Sequence, residues 1–286
     1  MKLRSPAKIN LILNVLRRRR DGTHEIETVF ERISLFDELR LSLLKDKSIL
    51  LRTDSDQIPG GSSNLAWRAA KLLQQRHAVR KGVLIEINKR IPVAAGLGGG
   101  SSNAATVLLG LNQLWKLRLS KKELLRLGAE LGSDVPFFIL DTSFAVGRGR
   151  GEILRKVNAP KIKLWHCLVK PEFSILTKEA YASWGSAKLT PPKSNARMLF
   201  HSIRKGQLER LSKLLVNSLE AVLNKRFREI LRIKNELRRQ GAAGSVMSGS
   251  GSSVFGVFAS KAGAEHAACF LRRQGKARQV FVVSTF

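Results

Sequence analysis

Residues 91–105 read Ile91-Pro92-Val93-Ala94-Ala95-Gly96-Leu97-Gly98-Gly99-Gly100-Ser101-Ser102-Asn103-Ala104-Ala105. They follow an apolar alternation at Val83–Asn88 that reads as a strand. They lead into Ala104, Val107, Leu108, Leu111 and Leu114, which share one helical face. Four glycines within five residues let the backbone approach a ligand closely and adopt left-handed conformations. The helix start adds unpaired N–H groups and the positive end of a dipole, so the stretch is built to hold an anion such as phosphate. Ser101 and Ser102 either cap the helix or offer hydroxyls to phosphate oxygens or Mg2+.

Three standard nucleotide loops do not fit. A Walker A loop needs a lysine after its second glycine, and Ser101 is followed by Ser102. A dinucleotide fingerprint needs a third glycine where Ser101 stands. The companion motifs of a protein-kinase glycine loop are missing.

Outward from the loop, Ile9, Leu11, Leu13 and Val15 alternate as in a half-buried strand, and Thr28–Phe36 and Leu39–Leu44 read as two more. A helix follows Ser63, taken as its N-cap, and the phosphate-loop helix starts within Ser101–Asn103. Ser120-Lys121-Lys122-Glu123 is a capping box that opens a third helix. Gly147–Gly151 reads as a loop, with a domain boundary shortly after it, giving domains of 1–155 and 156–286. Beyond it come a strand at Lys163–Lys170, a short helix at Thr177–Trp184 and helical patterns at 194–223 and 226–239. A Gly/Ser loop at 241–253, the strand Val254–Phe258, the helix Ser260–Leu271 and the strand Val280–Val283 complete the chain. The order predicts an α+β protein whose second half carries helices on an antiparallel sheet.

The 286 residues suit about two domains, and 43% apolar residues suffice for packed cores. No apolar run approaches the length of a membrane span, and no secretory signal is visible at the N-terminus. With Cys167 and Cys269 alone there is no disulfide framework and no zinc knuckle, so a reducing cytoplasm is expected. Lys and Arg exceed Asp and Glu by 51 − 22 = +29, which proposes a polyanionic partner such as nucleic acid. Against this, the basic residues are scattered apart from Arg17–Arg20, and aromatics are only 6%, too sparse for a base-stacking platform.

Pro92–Ala105 resembles the central phosphate-binding motif of the kinases named for galactose, homoserine, mevalonate and phosphomevalonate, the GHMP kinases. Ser5-Pro6-Ala7-Lys8-Ile9-Asn10-Leu11 and Met247-Ser248-Gly249-Ser250-Gly251-Ser252-Ser253 match the same superfamily in the right order. Together with Asp21-Gly22-x-His24 and Leu131-Gly132-Ser133-Asp134-Val135-Pro136, the set resembles the 4-diphosphocytidyl-2-C-methyl-D-erythritol kinases over essentially the whole chain. The resemblance implies two α/β lobes, the first like the second domain of ribosomal protein S5 and the second ferredoxin-like, with the site between them.

The activity implied is transfer of the γ-phosphoryl of ATP, with Mg2+, to the 2-hydroxyl of 4-diphosphocytidyl-2-C-methyl-D-erythritol in the non-mevalonate route to isoprenoid precursors. By the same resemblance Lys8 and Asp134 are the catalytic pair. ATP lies on Pro92, Val93, Ala94, Ala95, Gly96, Leu97, Gly98, Gly99, Gly100, Ser101 and Ser102, with Asn64 near the adenine and Ser102 as a metal contact. Asn10, His24, Thr177 and Tyr181 face the acceptor, and Gly249, Ser250 and Gly251 form a supporting phosphate loop. Thr23 stands where the family often has a tyrosine, removing one stacking wall for cytosine. Two rivals remain open on the sequence: another GHMP-type kinase such as homoserine kinase, and a basic nucleic-acid-binding protein on this scaffold.

Overall fold

A computed structural model describes residues 1–159, 162–184, 195–222, 224–275 and 279–286. In chain order the first half comprises β1 (Lys2–Arg18), β2 (His24–Leu44), β3 (Ile49–Thr53), α1 (Leu65–Arg76), β4 (Gly82–Asn88), α2 (Gly99–Leu114), α3 (Lys121–Leu131), α4 (Val135–Leu140), β5 (Phe144–Arg148) and β6 (Ile153–Lys156). The second half comprises β7 (Trp165–Lys170), α5 (Thr177–Trp184), α6 (Ala196–Arg204), α7 (Leu211–Leu214), β8 (Val216–Asn217), α8 (Asn224–Arg239), β9 (Gly244–Met247), β10 (Val254–Phe258), α9 (Lys261–Arg273) and β11 (Gln279–Ser284). No helix among the described residues is long and apolar enough to cross a membrane.

Packing divides the chain into two interleaved units rather than at one cut. One contains Met1–Ala7, Leu35–Val93 and Gly98–Thr142; the other contains Lys8–Ser34, Ala94–Leu97 and Ser143–Phe286. In the first, β4 pairs parallel with β3 and antiparallel with the C-terminal part of β2. Alanines and leucines on α1 and α2 are buried, including Ala69, Leu73, Ala104 and Leu108. The expected capping box on α3 is present, with the Ser120 side chain accepting from Glu123 N–H and the Glu123 carboxylate accepting from Ser120 N–H.

In the second unit β5 pairs with β2 and β6, and β8 lies parallel to β1. Its separate sheet has the order β11-β7-β10-β9, with every pair antiparallel. Strand order 4-1-3-2 with helices before β9 and before β11 is the ferredoxin-like arrangement that the resemblance implied. Apolar residues of α8 and α9, among them Ile230, Leu237, Ala264 and Leu271, join Cys167, Val169 and Val254 in one core.

Several boundaries differ from expectation. Thr28–Phe36 and Leu39–Leu44 are one strand, β2, because Asp37, which breaks the apolar alternation, is buried and hydrogen-bonded instead of turning the chain. The N-cap of α1 is Asn64, not Ser63; its Oδ1 accepts from Ala66 N–H. Helix α2 starts at Gly99, earlier than expected, because left-handed Gly98 supplies the turn. The expected loop at 147–151 contains the end of β5, and β9 lies inside the expected loop at 241–253. The pattern at 194–223 breaks into α6, α7, β8 and two 3-10 turns, with Gly206 at φ +68° ending α6; its end residues 194 and 223 lie outside the described residues.

Candidate active site

The N-cap of α2 is Gly98, which has no side chain to bond the helix start and adopts φ 69°. Gly98, Gly99 and Ser101 are half-buried and Gly100 is exposed, so solvent reaches the first helical turn. Ser102, expected as a metal contact, is fully buried, and its Oγ accepts from Ser5 Oγ at 2.8 Å. Asn103 Nδ2 donates to both Ser5 Oγ and Asp37 Oδ2, at 2.9 Å each. The turn is therefore fixed from beneath while its outer backbone stays available to an anion.

Lys8 and Asn10 occupy a stretch of β1, Ser5–Val15, that is buried throughout. Lysine and asparagine on a buried strand need partners, and both have them. Lys8 Nζ donates to Asn10 Oδ1 at 2.7 Å and lies 5.3 Å from the centre of the Phe30 ring. Asn10 Nδ2 donates to Thr28 Oγ1, which donates to Ile12 O, both at 2.7 Å.

The loop between β9 and β10 docks on residues 95–97. Ser248 Oγ donates to Gly96 O at 3.0 Å and accepts from Asn10 N–H at 3.3 Å, while Ser253 N–H donates to Ala95 O at 3.2 Å. Gly96 is obligatory here: its φ is +75°, and a Cβ would stand 2.1 Å from Ser248 O. The docked loop is held by Asn217, whose Nδ2 donates to Met247 O and Gly249 O, and by Glu220, which accepts from Met247 N–H.

On the acceptor side, His24 lies 5.2 Å from the Tyr181 ring at a tilt of 32° and 5.4 Å, edge to face, from Trp184. Its Nε2 is enclosed and has no hydrogen-bond partner among the described residues. Partial burial, helped by the nearby Arg18 charge, pushes the imidazole below its ordinary 6.5. Thr23 donates through its N–H and hydroxyl to Asp21 Oδ1, closing the hairpin tip and holding the Asp21 carboxyl below its ordinary value. Thr177 Oγ1 and Ser250 Oγ are 3.0 Å apart.

Residues 64–142 match the family model "GHMP kinases N terminal domain" and residues 199–277 match "GHMP kinases C terminal". The 4-diphosphocytidyl-2-C-methyl-D-erythritol kinase of Alkaliphilus oremlandii is 41% identical over 288 residues, covering 99% of this chain and 96% of that protein. The kinase of the same name from Syntrophotalea carbinolica is 44% identical over 255 residues, covering 89% and 88%. The chain belongs to the 4-diphosphocytidyl-2-C-methyl-D-erythritol kinases of the GHMP family. A solved 4-(cytidine 5'-diphospho)-2C-methyl-D-erythritol kinase superposes with a TM-score of 0.85 at 33% identity, covering 99% of this chain and 98% of its own. Homoserine kinase from Cytophaga hutchinsonii, at 20% identity and TM-score 0.69 over 100% of this chain and 94% of its own, shares the fold.

As a GHMP kinase this protein is an ATP-dependent phosphotransferase. Asp134, its expected catalytic carboxylate, is half-buried immediately before α4 and makes no capping bond to that helix. Asn64 has both ends of its amide engaged, by Ala66 N–H and by Pro59 O. The structure also brings in residues that spacing did not single out: Ser5, Asp37, Lys89 and Asn103 beneath the loop helix, and Ser248, Asn217 and Glu220 around the second glycine loop. Their partners lie as far as 238 residues away in sequence, where local pattern carries no signal. Burial pushes the Cys167 thiol up to about 12, which keeps it protonated. Among the described residues no group of three His, Cys, Asp or Glu side chains could hold a metal.

Proposed function

We propose that this kinase transfers the γ-phosphoryl of ATP to the 2-hydroxyl of 4-diphosphocytidyl-2-C-methyl-D-erythritol. The observation that carries the reading is the likeness, over 99% of the chain, to kinases of that name. The glycine-capped, solvent-reached start of α2 supports it, since this is the surface a triphosphate needs. In this reading residues 1–155 serve the nucleotide and residues 156–286 complete the acceptor site.

The acceptor oxygen attacks the γ-phosphorus, the bond from that phosphorus to the β-bridging oxygen breaks, and ADP leaves. Asp134 takes the hydroxyl proton, and the Lys8 ammonium, held by Asn10, stabilises charge on the oxygen in flight. Such a transfer asks the protein mainly for position and charge, which a carboxylate, an ammonium and a helix N-terminus supply. His24, neutral near pH 7, offers its enclosed Nε2 to a polar edge of cytosine, and Tyr181 offers a ring face. Thr177, Gly249, Ser250 and Gly251 border the acceptor and its phosphates.

Mg2+ would neutralise charge on the transferring oxygens. The enclosed Ser102 hydroxyl does not fit a direct ligand, so the metal's hold on the protein would run through the phosphates. The cytoplasm is the expected compartment.

The test is ADP release with Mg·ATP and, in turn, the cytidylated acceptor, homoserine, mevalonate and galactose. Turnover on the cytidylated acceptor alone is expected. Turnover on homoserine in its place would overturn the reading.

A further inference from the structure

We propose that Asp37 is a positioning residue for ATP: one carboxylate that clasps both ends of the phosphate loop and sets the loop's shape before the nucleotide arrives. The inference rests on the reading of residues 92–102 as the ATP phosphate loop. Asp37 is fully buried in β2. Its Oδ1 accepts from Arg90 N–H and Ile91 N–H, at 2.8 Å each, where the chain leaves β4 for the loop. Its Oδ2 accepts from Asn103 Nδ2 at 2.9 Å, where the loop has become α2, and from the Lys89 ammonium. Lys89 is itself largely buried, with 8% of its side chain exposed.

Four donors thus converge on one side chain from the two ends of the loop. Only a carboxylate satisfies them all, because it is acceptor-only with two oxygens, whereas an amide carries donors of its own. The clasp continues through Asn103 to Ser5 and on to Ser102, so the position of the first turn of α2 is coupled to the strand from which the loop departs. A phosphate site made of backbone N–H groups binds well only when those groups are already aimed, and the clasp supplies that preorganisation.

Asp37→Asn keeps one acceptor oxygen for Arg90 and Ile91 but turns an NH2 towards Asn103 Nδ2 and Lys89. Titration of the folded enzyme with Mg·ATP is expected to show about tenfold or greater loss of affinity, with affinity for the cytidylated acceptor within about twofold of wild type. Asn103→Ala removes only the helix end of the clasp and leaves Arg90, Ile91 and Lys89 on the carboxylate, so it should lose Mg·ATP affinity by a smaller factor, about threefold, again with acceptor affinity unchanged. This also covers the case in which Asp37→Asn folds poorly. Unchanged Mg·ATP affinity in both folded variants, or an equal loss for both ligands, would overturn the proposal. Ser101→Asp separates the two levels of argument by placing a negative charge on the half-buried first turn. If Ser101→Asp binds Mg·ATP like wild type, the phosphate-loop reading itself fails. If it loses Mg·ATP while Asp37→Asn does not, only the clasp fails.

Discussion

His24 shows how one residue's surroundings set its chemistry. Tyr181 and Trp184 pack on its ring, and partial burial followed by the Arg18 charge lowers its pKa from 6.5. The folded state therefore takes up the proton less readily than the unfolded chain. The associated stability is complete above about pH 6.5 and is lost as pH falls towards the depressed folded value. If the neutral ring reads cytosine, the acceptor KM should be flat from pH 8 to about 6.5 and rise in more acid solution. His24→Ala should raise that KM at least tenfold, roughly the worth of a hydrogen bond and a packed ring, with the ATP KM unchanged. Equal effects on both substrates would make His24 structural. At this scale the sequence offered Lys8, Asn10, His24 and Asp134 as candidates because each sits in a recognisable motif. Asp37 was hidden because a charge in an alternating strand ordinarily faces solvent, and only the fold reveals its four donors.

The two glycine loops behave as a single element: the second, held by Asn217 and Glu220, presses Ser248 against Gly96. Gly96→Ala combines an unfavourable φ of +75° with a Cβ placed 2.1 Å from Ser248 O. It should lower stability by about 2 kcal/mol or more and weaken Mg·ATP binding, read by thermal unfolding and titration. An unaltered melting temperature would show that the loops are not docked in solution. Elements with strong periodicity were legible, including β4, α3 and α5, whereas the ferredoxin-like order of the second half came from the family resemblance. Those that failed did so for local physical reasons: a buried carboxylate carried β2 through an apparent break, and Gly206 together with the side-chain bonds of Asn217 broke an apparent long helix. β9 escaped notice because its Gly244-Ser245 start looks like loop, although all four of its residues are buried against β10 and neighbouring elements.

For the whole molecule, the net charge of +29 is the property that the sequence motifs do not explain. Such a surface attracts polyanions without choosing among them. Binding to random-sequence single-stranded RNA should therefore fall by about three-hundredfold or more between 50 and 200 mM salt if six or more phosphates are neutralised, while turnover persists. RNA affinity that is sequence-selective and insensitive to salt would point to a dedicated nucleic-acid function instead. Phosphoryl transfer to an alcohol of the cytidylated acceptor, with Asp134 taking the proton, can be followed by phosphorus NMR in wild type and in Asp134→Asn, after Mg·ATP titration has shown equal nucleotide affinity. Wild type should give a new phosphomonoester signal while the acceptor's own diphosphate stays intact, and the variant should be slower by about 10²-fold or more. A variant that forms the phosphomonoester at the wild-type rate, or a wild-type product with its diphosphate cleaved, would contradict it.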